Sequence, residues 1–156
     1  MLQKKIILLL LLLLSSCGYE AIYSKKNLVN YNFTVSDLSF AGDRTVNLKI
    51  KEKLNNYAQD KKEKDFILRI SSASEKIILS KNAAGDATSF KNSISINVEV
   101  LMNGKFKSNF IILESFNYNN ISNKFNLKKY EEEIKNNLAE TASDKLIFKL
   151  SNIQWF

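Results

Sequence analysis

The sequence predicts an α+β fold: a two-layer sandwich with a four-stranded, mostly antiparallel sheet and two helices on one face, in the order strand-helix-strand-strand-strand-helix. Three observations predict it. Apolar and polar residues alternate with period two through Phe66–Ser71, Ile94–Met102 and Phe106–Phe116. Two other stretches, one after Asp43 and one after Asn126, carry apolar residues at helical spacing instead. Asn103-Gly104 separates the two longest alternating runs and is a favoured type I′ hairpin pair.

The elements follow in order. Tyr31, Phe33 and Val35 alternate with Asn32, Thr34 and Ser36, a first strand with one apolar face. The polar and small residues of Asp37–Gly42 read as a turn. Asp43 is a helix cap, and Val46, Ile50, Leu54 and Tyr57 then share one helical face. Asp60–Asp65 reads as a charged loop. A second strand starts at Phe66 and continues, through a bulge, to Ile77, Ile78 and Leu79. Lys81–Asp86 is a loop, Ile94–Met102 the third strand, and Phe106–Phe116 the fourth. Asn117, Asn119, Asn120, Ser122 and Asn123 then form a polar loop before a last helix capped by Asn126. That helix presents Leu127, Tyr130 or Glu131, Ile134, Leu138, Ala142 and Leu146 to the core.

Composition excludes several chemistries. The 156 residues include no histidine, no proline and one cysteine. Without imidazole there is no Ser-His-Asp triad, no Cys-His pair and no histidine metal ligand. One cysteine supports neither an internal disulfide nor a cysteine-rich zinc site. The carboxylates Glu99, Glu114 and Glu131–Glu133 are spread over strands and a helix turn, and no glycine-rich phosphate loop occurs. The chain is therefore read as a non-enzyme that uses no cofactor and no metal.

The most specific signal lies at the start. Lys4 and Lys5 precede an unbroken apolar run from Ile6 to Leu14, followed by Ser15, Ser16 and Cys17. An apolar helix of that length rises about 13 Å, against a hydrocarbon core about 30 Å thick, so it reads as a secretory signal and not as a permanent span. Leu14-Ser15-Ser16-Cys17 is similar to a bacterial lipobox, which makes Cys17 the lipid-attachment site. The organisation expected is a signal peptide over 1–16, an acylated cysteine and tether over 17–30, and one domain over 31–156. Two or more acyl chains hold a domain stably at a membrane. Gly18, and not Asp, follows the cysteine and favours the outer membrane. Cleavage removes two of the 23 basic residues, leaving 21 against 16 acidic ones. Export sets nucleic acid aside as the partner of that positive excess and leaves anionic membrane components. The terminal Trp155-Phe156 is not the end of a membrane barrel, because four strands cannot close one.

After cleavage the chain opens Cys17-Gly18-Tyr19-Glu20-Ala21-Ile22-Tyr23. This resembles the Cys-Gly-aromatic-x-Pro-Leu-Tyr opening of the lipopolysaccharide-assembly lipoproteins, the LptE family, with Ala21 for the usual Pro and Ile22 for the usual Leu. The element order and Ala87-Thr88 leading into a long third strand fit the same resemblance. It implies an outer-membrane lipoprotein that plugs a large β-barrel partner, supports the folding of that barrel and assists lipopolysaccharide insertion into the outer leaflet. The alternative is another tethered periplasmic binding lipoprotein, a carrier of peptidoglycan or of a small lipid. For lipopolysaccharide phosphates the candidate contacts are Lys76, Lys81 and Lys91, around the turn between two long strands. One of the two polar segments, Ser80–Asn92 or Asn117–Asn123, is expected to be covered by the barrel.

Overall fold

The computed structural model describes residues 32–58 and 62–154. The expectations for the signal, Cys17, the tether, Tyr31 and Trp155-Phe156 lie outside the described residues. The elements are β1 (Phe33–Gly42), α1 (Arg44–Leu54) with a 3₁₀ turn at Asn55–Tyr57, β2 (Lys64–Lys81), β3 (Ala87–Met102), β4 (Lys105–Asn119) and α2 (Lys124–Ser151). The strands lie in the order β1-β2-β3-β4. β1 and β2 run parallel, joined by the α1 crossover, and the other pairs are antiparallel. Both helices pack on one face of the sheet, and the α+β two-layer class agrees with the sequence.

The strand parity read from the sequence sets that face. Phe66, Leu68 and Ile70 of β2 lie opposite Met102, Val100 and Val98 of β3, and all but Met102 are buried. From the helices, Val46, Ile50 and Leu54 of α1 and Ile134, Leu138, Leu146 and Leu150 of α2 close the core. Removing such apolar surface from water contributes about 25 cal/mol per Å² and holds the two layers together. Phe33 stacks on Tyr57 at 4.8 Å between ring centroids and closes the lower end. At the hairpin, Asn103 and Gly104 take φ of 53° and 73°, as a type I′ turn requires.

Several boundaries differ from expectation. β2 already begins at Lys64 and pairs regularly with β3 as far as Ile78, its register shifting only beyond that residue, and β3 begins at Ala87, seven residues before Ile94, because Ser89–Ser93 find partners on both β2 and β4. Asp37–Gly42 is strand, not turn, because a bulge at Ser36 shifts the register and lets Leu38 and Phe40 pair with Leu68 and Ile70. Asn117–Asn119 belongs to β4, since Asn117 and Asn119 find partners in Lys91 and Ser89 while Tyr118 is buried between them. α2 starts three residues early, with Asn123 as cap: its side chain accepts from the amides of Phe125 and Asn126 at 3.0 and 3.1 Å. Periodicity missed these early turns because they project past the core, whose first residue on α2 is Ile134.

The top of β1 approaches β2 closely, backbone to backbone. Gly42 has φ of +89°, and a Cβ there would lie 1.8 Å from the Ser72 carbonyl oxygen. This close approach lets the Asp43 amide donate to that oxygen at 3.0 Å. One carboxylate oxygen of Asp43 then caps α1, accepting from the amides of Thr45 and Val46 at 3.0 and 3.1 Å. The other accepts from the Ser74 hydroxyl at 2.6 Å and from Lys135 of α2 at 2.5 Å. Partial burial opposes the charged form of Asp43, but the bonds from Lys135, Ser74 and the Val46 amide, with the Lys135 charge, outweigh it. The carboxyl is held down at about 2.

Gly42→Ala is expected to destabilise the domain by about 2–3 kcal/mol, since it combines a steric clash with a left-handed backbone. Gly85, with the same φ but open space around it, is the control, and Gly85→Ala should cost only about 1 kcal/mol in urea unfolding. For Asp43, a folded-state pKa below the unfolded value gives stability that is complete above the ordinary value of 3.8 and is lost as pH falls toward about 2. Asp43→Asn should remove that part of the acid dependence between those limits, read as the difference between the two chains' unfolding midpoints against pH.

Candidate functional site

The strands differ in length, and this builds the site. β1 stops at Gly42 opposite Ser72, whereas β2 continues nine residues further, from Ala73 to Lys81. α1 starts at the same level, so the upper parts of β2 and β3 are roofed by the first half of α2 alone. A groove of about 360 Å³ opens there, floored by Ser74, Lys76, Asn92 and Ile94 and walled by Lys128, Glu131 and Lys135.

The charges of this groove are largely matched internally. Lys76 pairs with Glu131 and lies 4.1 Å over the Phe90 ring. The Tyr118 hydroxyl donates to Glu131 at 2.8 Å. Burial first, then the bond to Glu131 and its negative charge, push the Tyr118 phenol well above its usual range. Tyr130 closes edge-on against Tyr118 at 5.9 Å. Lower down, Lys53 of α1 binds Asp144 and Glu140 of α2 at 2.9 and 3.0 Å. Burial works against the Lys53 charge, yet these two carboxylates raise its pKa overall.

The three lysines singled out in the sequence do not form one patch. Lys76 is on the helix-covered face, bound to Glu131. Lys91 is on the opposite face, since Lys76 pairs with Asn92 and Lys91 with Ile77. There it borders a shallow groove of about 340 Å³ lined also by Glu75, Ser93, Ser95, Leu113 and Ser115. Lys81 ends β2, exposed, opposite Ala87. Parity along the two strands already separates 76 from 91.

A different set of cations lies toward the end of the sheet where Lys81 ends β2. Asn120 donates from its side chain to the Ala87 carbonyl at 2.8 Å and from its amide to Thr88 at 2.8 Å, which draws the start of α2 to the same end of the sheet. Lys124, Lys128 and Lys129 are exposed on the first two turns of α2, and Phe125 between them is exposed too. Ile77, Ile78 and Leu79 are exposed on the last turns of pleat in β2. This upper end therefore combines amines with uncovered apolar side chains. Sequence reasoning missed the helix lysines, although one signal was present: the first turn of α2 contains no acidic residue, against the preference of the helix dipole.

Three of the carboxylates considered for catalysis are engaged in ion pairs. Glu99 meets Arg69 at 3.3 Å, Glu114 meets Lys145, and Glu131 meets Lys76. Among the described residues no group of three or more carboxylates is arranged to hold a metal, and no helix is long and apolar enough to cross a membrane. The opposite face of the sheet is open and carries small polar residues at its centre, including Ser71, Ser93, Ser95, Asn97 and Ser115.

No family model matches the chain, and no curated protein sequence matches it. Its fold is that of several solved bacterial lipoproteins. It is similar to the rare lipoprotein B of Shewanella oneidensis at a TM-score of 0.60 and 16% identity, over 74% of this chain and 93% of that one. A minor lipoprotein of Acinetobacter baumannii matches at 0.57 and 10% identity, over 78% and 91%. The uncharacterized lipoprotein B of Nitrosomonas europaea matches at 0.57 and 14%, over 78% and 86%. At these identities the similarity is one of fold.

Glu131→Gln should lower the Tyr118 pKa while leaving it above 10, because the burial that dominates the shift remains and only the carboxylate contribution is lost. Difference ultraviolet titration of the variant against the parent chain reads the change.

Proposed function

We propose that this chain is an outer-membrane lipoprotein that plugs and supports the folding of a large β-barrel and assists the barrel in inserting lipopolysaccharide into the outer leaflet. One coincidence carries the reading. A lipobox-like tetrad stands at the chain's single cysteine, Cys17, and the domain behind it has the fold of proteins that are themselves bacterial lipoproteins. The specific role comes from the resemblance of the Cys17–Tyr23 opening and the element order to the LptE family.

The geometry suits such a role. The described chain enters at Asn32, next to Glu63 at the foot of β2, and the amine-rich end lies at the other end of that strand. Eighteen strand residues rise about 56 Å, more than the hydrocarbon core of about 30 Å. A domain anchored in the inner leaflet and standing in a barrel lumen would carry Lys81 and the α2 lysines to the outer-leaflet side. The open face, rich in Ser and Asn, suits a wet lumen wall, because large barrel interiors are polar.

The contact proposed for lipid A phosphates centres on Lys81 with Lys124, Lys128 and Lys129, while Ile78, Leu79 and Phe125 offer apolar surface to acyl chains. Lys91 adds charge from the open face. Lys76 contributes only if its pair with Glu131 opens.

Mild-detergent extraction of native membranes should retain a barrel protein with this chain, and mass spectrometry should find Cys17 acylated at the mature amino terminus. Replacing Lys81, Lys124, Lys128 and Lys129 together by Ala is expected to weaken lipopolysaccharide binding at least tenfold at low salt and to flatten its salt dependence. Unchanged binding would refute the contact surface, and a chain retaining residues 1–16 would refute the lipoprotein reading.

A further inference from the structure

β4 is the outermost strand, and its outer edge has no neighbour among the described residues. Natural sheets guard such edges with charge, proline, bulges or short strands, since unpaired amides and carbonyls template pairing with another chain. The opposite edge, β1, has these guards: it is ten residues long, bulged at Ser36, and carries Asp37 beside the bulge. β4 lacks them over most of its length. Its one register shift against β3 lies at Val100/Leu101, so Ser108–Asn119 is regular. Within that stretch the one charged residue is Glu114, whose side chain is 13% exposed and turned to Lys145. Ile111 and Leu113 are 61% and 70% exposed on the open face.

We propose that β4 pairs antiparallel with β4 of a second copy of this chain, joining two sheets of four strands into one of eight. The proposal goes beyond the lipoprotein reading and does not rest on it. A closed barrel wall has no free strand edge to offer, whereas a second copy has an identical one. A twofold axis normal to the sheet keeps each residue on its own face, so odd positions meet odd and even meet even. Centred on Ile112, the pairing spans Ser108–Phe116. Ile111 then meets Leu113 of the partner subunit, and Leu113 meets Ile111 of the partner subunit. The four side chains form one apolar cluster where each was exposed, with cross-strand Cβ separations of about 5 Å. Phe110 faces Glu114 of the partner subunit, Ser108 faces Phe116 of the partner subunit, and no like charges are opposed.

The test uses the full-length protein in density-matched detergent, with mass read by sedimentation equilibrium. The parent chain is expected to sediment as a dimer. Ile111→Lys with Leu113→Lys opposes lysines across the axis and should halve the mass, with circular dichroism unchanged because both positions face solvent in the single subunit. Ile111→Lys with Leu113→Glu opposes Lys and Glu and should restore the dimer. The variants share the same anchor, so two acylated chains occupying one micelle would not follow this pattern. A monomeric parent chain, a dimeric lysine pair or a monomeric Lys/Glu variant each overturns the proposal.

Discussion

The close approach of Gly42 to Ser72 is the constraint on which the rest of the domain hangs. The absence of a side chain at 42 lets β1 end within contact of the β2 backbone, and the chain turns there from strand into helix. Asp43 is thereby set over β2 with both carboxylate oxygens in use, one capping α1 and the other holding Ser74 and Lys135. A single residue thus ties the parallel strand pair to the first helix and the first helix to the second. A charge-assisted junction of this kind gains strength from partial removal from water, provided every lone pair finds a donor.

Because the turn occurs at that level, β2 and β3 run on alone above it. Their overhang is covered on one side by the early turns of α2 and uncovered on the other. The layer below is an ordinary apolar core, with Phe66, Leu68, Val98 and Val100 against two helices. The layer above replaces part of that core by ion pairs, Lys76 with Glu131 and Lys135 with Asp43, and by the hydrogen bond that the Tyr118 hydroxyl donates to Glu131. It is held in shape by hydrogen bonds as well as by burial, and it leaves amines and apolar side chains facing outward at the end. This end lies far from the point where the described chain begins.

The two sheet edges are treated differently. β1 is short, bulged and acidic at Asp37, so it resists pairing. β4 is regular from Ser108 to Asn119 and carries no charge on its open face there, with Ile111 and Leu113 exposed, so that stretch invites pairing. The open face between them is polar at its centre and apolar near β4, where Ile111 and Leu113 stand beside Ser95 and Asn97. Association through the β4 edge and contact through the polar centre therefore use different parts of the same sheet.

The one-dimensional pattern was enough for the fold class, for the Ile94–Met102 part of β3 and its Asn103-Gly104 turn, for the Asp43 cap, and for the buried stripe Val46, Ile50 and Leu54. These are all local: side-chain parity, turn dihedrals and cap bonds are satisfied within a few residues. The lipobox-like tetrad ending at Cys17 is also a local pattern, and it lies outside the described residues. Tertiary pairing decided the remainder. Asp37–Gly42 became strand because β2 lay alongside to bond it, and Asn117–Asn119 because β3 did. Lys76 and Lys91 fell on opposite faces, and the start of α2 with Lys124, Lys128 and Lys129 came to the Lys81 end of the sheet, because strand register and the Asn120 bonds joined segments distant along the chain. Periodicity states which side of its own element a residue takes. Which element lies beside it, and which face a helix will cover, depends on hydrogen bonds and burial between segments that no local pattern contains.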